Sequence, residues 1–406
     1  MYPRWQEANL ISALKVRRAV HLTGARQCGK STLADSVPLP KSRRYTFDDD
    51  GTRNTAEGDP HGFAVRKEGE TLVVDEVQKV PAILNAIKMK LDHCNEKGQY
   101  LLTGSSNLRF AKSVKDSLAG RMRTIRLRTL AQGEIRGGKG CFLEAAFSRE
   151  FPDRVEGFSK REVIAQAFRG GYPEALELED ADRRYWFEDY LDDLLVKDVQ
   201  DVTEIRKVQS LRGVLNWLLA YSSKFFEIKD LAAQCGVKQE TAKSYIAALQ
   251  ALYLFDGVEP WSKSDYAKLG KRTKFLAADP ALMANALGWN AEEVYFDQDK
   301  SGKLVETWVY HELASLVDRV PGMKISQYRD SDKREIDFVL ENDSGATMGI
   351  EVKAGSSIGE GDFRHLKWFS RTLARGAFTG IVLYSGELTL RFGEGFYAVP
   401  LGALAG

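Results

Sequence analysis

Gly24-Ala25-Arg26-Gln27-Cys28-Gly29-Lys30-Ser31 reads G-x-x-x-x-G-K-S, and its setting decides the fold. Ala19–Thr23, just before it, is a short apolar run of strand character, and Ser31–Val37, just after it, can open a helix. Strand, glycine-rich loop and helix in that order make a phosphate-binding loop. The glycines let the backbone wrap closely round phosphate oxygens with successive N–H groups turned inward, and the helix N-terminus adds partial positive charge. The expected nucleotide-binding residues are Gly24, Ala25, Arg26, Gln27, Cys28, Gly29, Lys30, Ser31 and Thr32. Lys30 would reach the β- and γ-phosphates and the Ser31 hydroxyl would bind Mg²⁺, so ATP and Mg²⁺ are the expected cofactors.

The loop's partners lie downstream. Leu72-Val73-Val74-Asp75-Glu76 is an apolar strand ending in two carboxylates. Asp75 is expected to hold Mg²⁺, through water, and Glu76 to orient and polarise the attacking water. Tyr100-Leu101-Leu102-Thr103 is a further strand that runs into Gly104-Ser105-Ser106-Asn107. Ser105 can meet the γ-phosphate or the water there; the alternative is a Ser-rich turn bonded to itself. In Ser117-Leu118-Ala119-Gly120-Arg121, Arg121 is the candidate for transition-state charge stabilisation in trans, with Arg109, Arg123 and Arg126 as rivals. A trans arginine implies a homo-oligomer. Arg43–Asp50 adds another strand, and Gln6–Arg18 and Pro81–Asp92 have helical periodicity. Strands alternating with helices indicate an α/β domain on a parallel sheet.

Composition sets the outer limits. The 406 residues include 58 Lys and Arg against 57 Asp and Glu, a net charge of +1, which excludes a uniformly basic nucleic-acid coat. A hydrophobic share of 43% excludes a mainly disordered chain or a rod. Charge is local nonetheless: residues 1–45 carry nine basic against two acidic residues, and residues 144–204 carry eight against seventeen. Cys28, Cys94, Cys141 and Cys235 are far apart, which argues against a disulfide framework or a structural zinc site. The N-terminus has no apolar signal segment, and no apolar stretch approaches the ~20 residues of a membrane span. A cytoplasmic protein without a membrane partner is the expectation.

Gly24–Thr32, Thr71–Gln78, Tyr100–Ser106 and Ser117–Arg121, in this order, resemble a widespread prokaryotic group of AAA-type ATPases with a C-terminal domain of unknown function. Gly170-Gly171-Tyr172-Pro173 and the C-terminal segment extend the resemblance over most of the chain. It implies ATP binding and hydrolysis. Cys28 departs from the small or branched residue usual in the group, and would make ATP binding sensitive to thiol oxidation unless nucleotide buries it.

Three parts are expected: an ATPase domain over 1–140, a helical region over 141–290 and an α/β domain over 291–406. Within the middle, Glu227–Ala233, a turn at Gln234-Cys235-Gly236-Val237 and a helix from Lys238 to Leu252 have helix-turn-helix texture, and about 225–285 reads as a winged helix. Lys238, Gln239, Thr241, Lys243 and Ser244 would face outward, and Lys263, Lys268, Lys271, Arg272 and Lys274 would line the wing. Such side chains can contact phosphates and base edges, so DNA is the expected partner; a packing role for the module is the alternative.

At the C-terminus, Glu335–Leu340 and Met348–Lys353 read as adjacent strands across a turn at Glu341–Ala346. Period two lets Asp337, Glu351 and Lys353 converge, and Glu306 on the helix Leu304–Val317 can add a third carboxylate. This D…ExK pattern is similar to the PD-(D/E)xK nuclease core, with Ile336 in place of the proline. The resemblance implies a second Mg²⁺ site at Glu306, Asp337 and Glu351, with Lys353 beside it, in an active or an inactive nuclease fold. The leading reading is a Mg²⁺-dependent ATPase coupled to DNA or to partner binding. A nucleotide-gated DNA-binding switch, an ATP-regulated nuclease and a protein-binding scaffold are the alternatives.

Overall fold

Strand β1 (Ala19–Thr23) is buried at every position, which places it inside a sheet rather than at its edge. The computed structural model describes residues 2–105, 120–199, 208–263, 272–374 and 376–406. With β2 (Ser42–Thr46), β3 (Thr71–Asp75), β4 (Tyr100–Gly104) and β5 (Met122–Arg126), β1 forms an all-parallel sheet in the order β2-β3-β4-β1-β5. Parallel register brings the strand ends together on one side: Thr23 lies beside Gly104 and Arg126, and Thr46 beside Asp75. Leu10, Val20, Leu22, Leu33, Leu101 and Ile125 pack on one face. Leu72, Val74, Ile83, Ile87, Leu91 and Leu102 pack on the other. The expected strand over 43–50 stops at Thr46, because Asp49 caps the next helix by accepting from Thr52 N at 2.7 Å.

The middle is helical from Phe142–Ser148 through Lys160–Arg169, Asp180–Asp193, Val208–Ala220, Ile228–Gln234 and Gln239–Ala251. It ends in an antiparallel hairpin, β6 (Phe255–Val258) against β7 (Lys274–Ala277). The helix Gln298–Val317 follows, buried along most of its length. It begins earlier than the expected Leu304, since Asp297 caps it by accepting from Asp299 N and Lys300 N. The C-terminal sheet holds β8 (Lys324–Arg329), β9 (Glu335–Glu341), β10 (Thr347–Lys353), β11 (Phe378–Tyr384), β12 (Leu390–Arg391) and β13 (Phe396–Pro400). Its order is β12-β13-β11-β10-β9-β8, with β10, β11 and β13 parallel and the other pairs antiparallel. The architecture is α/β: a parallel sheet, a helical middle and a mixed C-terminal sheet. Among the described residues no helix is long and apolar enough to cross a membrane.

The three parts share a core. The last turn, Leu401–Ala405, packs back on the helix Gln132–Arg136, and Gly140 N donates to Gly406 O at 2.7 Å. Glu312, 1% exposed, accepts from Gln132 N at 3.0 Å with both carboxylate oxygens. At the end of β5, Arg126 and Arg128 donate to the two oxygens of Asp256 on β6 at 2.7 and 2.6 Å. Arg128 also pairs with Asp318 at 2.7 Å, and Tyr310 OH donates to Asp256 at 2.8 Å. One carboxylate therefore joins the first sheet, the hairpin and the long helix.

Burial pushes the Asp256 carboxyl up, but the guanidinium charges of Arg126 and Arg128 outweigh burial and hold it well below the usual carboxylate range. A depressed acid contributes stability in full above the unfolded-state value, about pH 4, and loses it as pH falls through the folded-state value. Asp256→Ala takes the carboxylate from Arg126, which is 24% exposed, and leaves Arg128 with Asp318, and is expected to destabilise the chain by about 3 kcal/mol. Denaturant unfolding measures this, and below about pH 4 the gap between wild type and variant narrows as the pH is lowered.

Candidate functional site

Everything expected of the phosphate loop lies at the C-terminal ends of β1, β3 and β4. Gly24 sits where a Cβ would stand 2.1 Å from Leu127 O, and Gly29, at φ +97°, opens the helix Lys30–Ser36 from the left-handed region. The loop curls so that Lys30, 4% exposed, donates Nζ to Ala25 O at 2.8 Å. Cys28 is fully buried with its Sγ on Leu127 O, so the thiol is shielded by the fold itself.

Asp75 and Glu76 split their tasks by geometry. Asp75 accepts from Ser31 Oγ at 2.8 Å with one oxygen, and from Thr103 Oγ1 and Glu76 N with the other. The left-handed turn at Glu76 (φ +53°) aims its side chain away from Asp75. There Glu76 Oε2 accepts from Gln78 Nε2 and from Ser105 Oγ, the latter at 3.2 Å, while Gln78 Nε2 also reaches Ser105 Oγ at 3.0 Å. Gly104 makes room for this triangle, because a Cβ there would stand 2.7 Å from Gln78 Oε1. Gln78 did not figure among the sequence candidates; its one signal is its place two residues beyond Glu76.

The middle of the chain roofs the loop. Tyr190 OH donates to Arg26 O at 3.2 Å and lies 3.2 Å from Tyr172 OH. Gly171 lets Tyr172 approach, since a Cβ there would stand 2.1 Å from Leu130 O. Tyr253 OH lies 2.7 Å from Thr23 Oγ1, and Arg126 stacks over the Tyr253 ring. From the N-terminus, Arg4 donates to Cys28 O at 2.8 Å and Arg128 O at 2.6 Å.

The arginine candidates separate by the direction of β5. Arg121 precedes β5, at the edge of the sheet opposite the loop, and is held by Asp92. Within one chain it is not brought to the phosphate loop. Arg123 lies near the start of β5, opposite Val20. Arg126 is at the loop end but is engaged by Asp256. Arg109, Ser106 and Asn107 lie outside the described residues.

In the C-terminal part, Glu306 and Asp337 do converge, but round an ammonium. Lys274 Nζ on β7 lies 2.7 Å from Glu306, 3.1 Å from Glu335 and 3.4 Å from Asp337. Its side chain is 1% exposed, which corrects its expected place on an outward basic wing: the period-two face it shares with Leu276 turns inward. Burial pulls the ammonium down, but the three carboxylates outweigh burial and raise it. Burial pushes the Glu306 carboxyl up to about 7 against the pull of Lys274, and burial with the Asp337 charge drives Glu351 well up. Asp337 also accepts from Val352 N at 2.9 Å, while Lys353 turns to Asp362 at 3.4 Å. Among the described residues no group of three or more His, Cys, Asp or Glu is arranged to hold a metal ion. Of the other wing residues, Lys263 donates to Thr372 O and Arg272 pairs with Glu227; Lys268 and Lys271 lie outside the described residues.

This sheet order, with its loop and paired carboxylates, is that of a nucleotide-hydrolysing P-loop domain, and residues 16–136 match the family model of an AAA domain, AAA_14. The chain thus carries an AAA-type domain over these residues, and its later segments, 160–293 and 301–404, match two domains of unknown function, DUF8612 and DUF4143. Two uncharacterized proteins, Rv2008c of Mycobacterium tuberculosis and Mb2031c of Mycobacterium bovis, are each 25% identical over 401 residues, 96% of this chain and 82% of theirs. Among solved structures, the Walker-type ATPase paby2304 of Pyrococcus abyssi superposes at a TM-score of 0.44 with 14% identity, over 70% of this chain and 96% of its own. The RuvB Holliday junction branch migration motor of Thermotoga maritima superposes at 0.30 with 16% identity, over 71% and 96%. Neither score defines a shared overall fold.

The left-handed backbone at Gly29 makes a specific demand. Gly29→Ala places a Cβ 3.3 Å from Arg4 Nη1 in a region that disfavours it, and is expected to cost about 1–2 kcal/mol of stability. Denaturant unfolding checks this.

Proposed function

We propose that the chain hydrolyses ATP in a Mg²⁺-dependent reaction at the loop Gly24–Thr32. The observation that carries this reading is the 2.8 Å hydrogen bond between Ser31 Oγ and Asp75 Oδ2, which sets a hydroxyl and a carboxylate side by side at the loop's mouth. Two hard oxygen donors of this kind suit Mg²⁺, which would supply charge neutralisation between the β- and γ-phosphates. Lys30, released from Ala25 O, neutralises phosphate charge from within the loop. Glu76 accepts the proton of the attacking water, and Ser105 and Gln78 hold its carboxylate in one rotamer. Arg121, on the opposite edge of its own sheet, serves a neighbouring copy in a homo-oligomer.

DNA is the partner in this reading. The helices Val208–Ala220, Ile228–Gln234 and Gln239–Ala251 with the hairpin β6–β7 have the order of a winged helix. On the helix Gln239–Ala251 and its N-cap, Lys238, Gln239, Lys243 and Ser244 are exposed, with Thr241 half-buried. The hairpin's tie to Arg126 is the contact through which nucleotide state reaches this module.

Steady-state hydrolysis with Mg²⁺ tests the chemistry. Lys30→Ala is expected to abolish turnover, and Glu76→Gln to bind ATP normally while turning over about 10²–10⁴-fold more slowly. Turnover in Lys30→Ala equal to wild type contradicts the proposal. Salt titration of DNA binding tests the partner: Lys238→Ala/Lys243→Ala lowers the log–log salt slope by about 2 if both lysines sit on phosphates. An unchanged slope places the DNA contact elsewhere.

A further inference from the structure

Glu306 on the long helix and Glu335 and Asp337 on β9 surround one point, and none of them takes part in ATP hydrolysis. Two of the three, Glu306 and Asp337, belong to the metal set expected from the sequence, and a divalent cation's oxygen ligands converge at about 2.0–2.6 Å. Here the point is filled from another part of the chain. Lys274 enters from β7 and meets all three carboxylates with one ammonium, at 2.7, 3.1 and 3.4 Å. An ammonium has three donors and no acceptor; it donates to Glu306 and Asp337, and the Glu335 carboxylate adds a third negative charge beside it. Its stem is enclosed as well: the side chain is 1% exposed and Nζ lies 5.3 Å from the centre of the Phe225 ring. A metal ion and this nitrogen cannot occupy the same site.

Of the other two members of the expected metal set, Glu351 lies close enough to Asp337 and Lys353 for their charges to act on it. Lys353 pairs with Asp362 and is half exposed, and Glu351 leaves its buried Oε1 without a partner. Asp337 spends its second oxygen on Val352 N. The cluster is thus completed by the hairpin rather than by the sheet's own lysine. The same hairpin carries Asp256 on β6, which Arg126 and Arg128 grip from the ATPase sheet. Its two strands are therefore tied to opposite parts of the chain through opposite charges.

We infer that Lys274 is the resident cation of the Glu306–Glu335–Asp337 cluster, standing where a divalent metal would bind, so that this cluster is an ionic latch between the hairpin and the C-terminal sheet. The latch closes the site to metal-dependent phosphodiester chemistry and fixes the hairpin from its far side. This holds whether or not the loop hydrolyses ATP, and its test uses no nucleotide.

The experiment is Mn²⁺ titration of the full-length, nucleotide-free protein, with free Mn²⁺ read by electron paramagnetic resonance. Wild type and Asp337→Asn are expected to bind the same number of ions. Lys274→Met is expected to bind one more ion per chain, and Lys274→Met/Asp337→Asn to lose it again. Loss of one ion on going from wild type to Asp337→Asn or to Glu306→Gln overturns the inference, because the metal would then displace the lysine. That comparison decides the matter even if Lys274→Met does not fold. A folded Lys274→Met chain that gains no ion also overturns it.

Discussion

Asp256 is the side chain on which the three parts of the molecule meet. Its two oxygens receive Arg126 and Arg128 from the end of β5 and Tyr310 from the long helix, and Arg128 goes on to Asp318. None of these groups is stable in such a place alone. Two guanidiniums drawn out of water need a carboxylate, and a carboxylate with 12% of its side chain exposed needs the guanidiniums. The network specifies one arrangement of the parts, because any slide of the hairpin along β5 takes Asp256 from Arg126, Arg128 and Tyr310 at once. Tyr253 beside Thr23 and the latch at Lys274 then fix the hairpin at positions on either side of it.

That constraint puts the ATPase site next to the helical middle rather than on a free surface. The loop is roofed by Tyr172 and Tyr190, braced by Arg4 and touched at its base by Tyr253. A rearrangement of Gly24–Ser31 round phosphate would be felt through these contacts by Asp180–Asp193 and by the hairpin. The same architecture takes the expected arginine out of reach. With parallel strands all running toward the loop, a residue ahead of β5 belongs to the far edge, and only another copy of the chain can bring Arg121 to this site.

Much of the ATPase part was legible in the residues. Parallel strands are buried on both faces, so they read as continuous apolar runs, and β1, β3 and β4 are found within a residue or so of their positions. Glycine at 24 and 29 was legible because no other residue suits those backbones. The Glu76–Gln78–Ser105 triangle was less so: two of its members were named, but nothing in their spacing shows that a glutamine side chain spans the gap between two strand ends. In the C-terminal part, Glu306 and Asp337 were found as neighbours, while Lys353, whose charge acts on Glu351, pairs with Asp362. The lysine that meets them is Lys274, some sixty positions ahead of Asp337 in the chain. Among basic neighbours it reads as a solvated wing residue. Its alternation with buried Leu276 pointed the other way, but a two-residue pattern cannot outweigh the cost of burying a charge until its three acidic partners are known.

ATP hydrolysis as proposed requires Asp75 and Ser31 on the cation side of the nucleotide site. The most direct measurement is equilibrium binding of a fluorescent ATP analogue to wild type and to Asp75→Asn, each with and without Mg²⁺. Mg²⁺ is predicted to tighten binding to wild type and to have little effect on Asp75→Asn, whose amide can keep the bond to Ser31 but not the negative charge. Equal affinity of wild type with and without Mg²⁺, or the same Mg²⁺ dependence in both proteins, would contradict it.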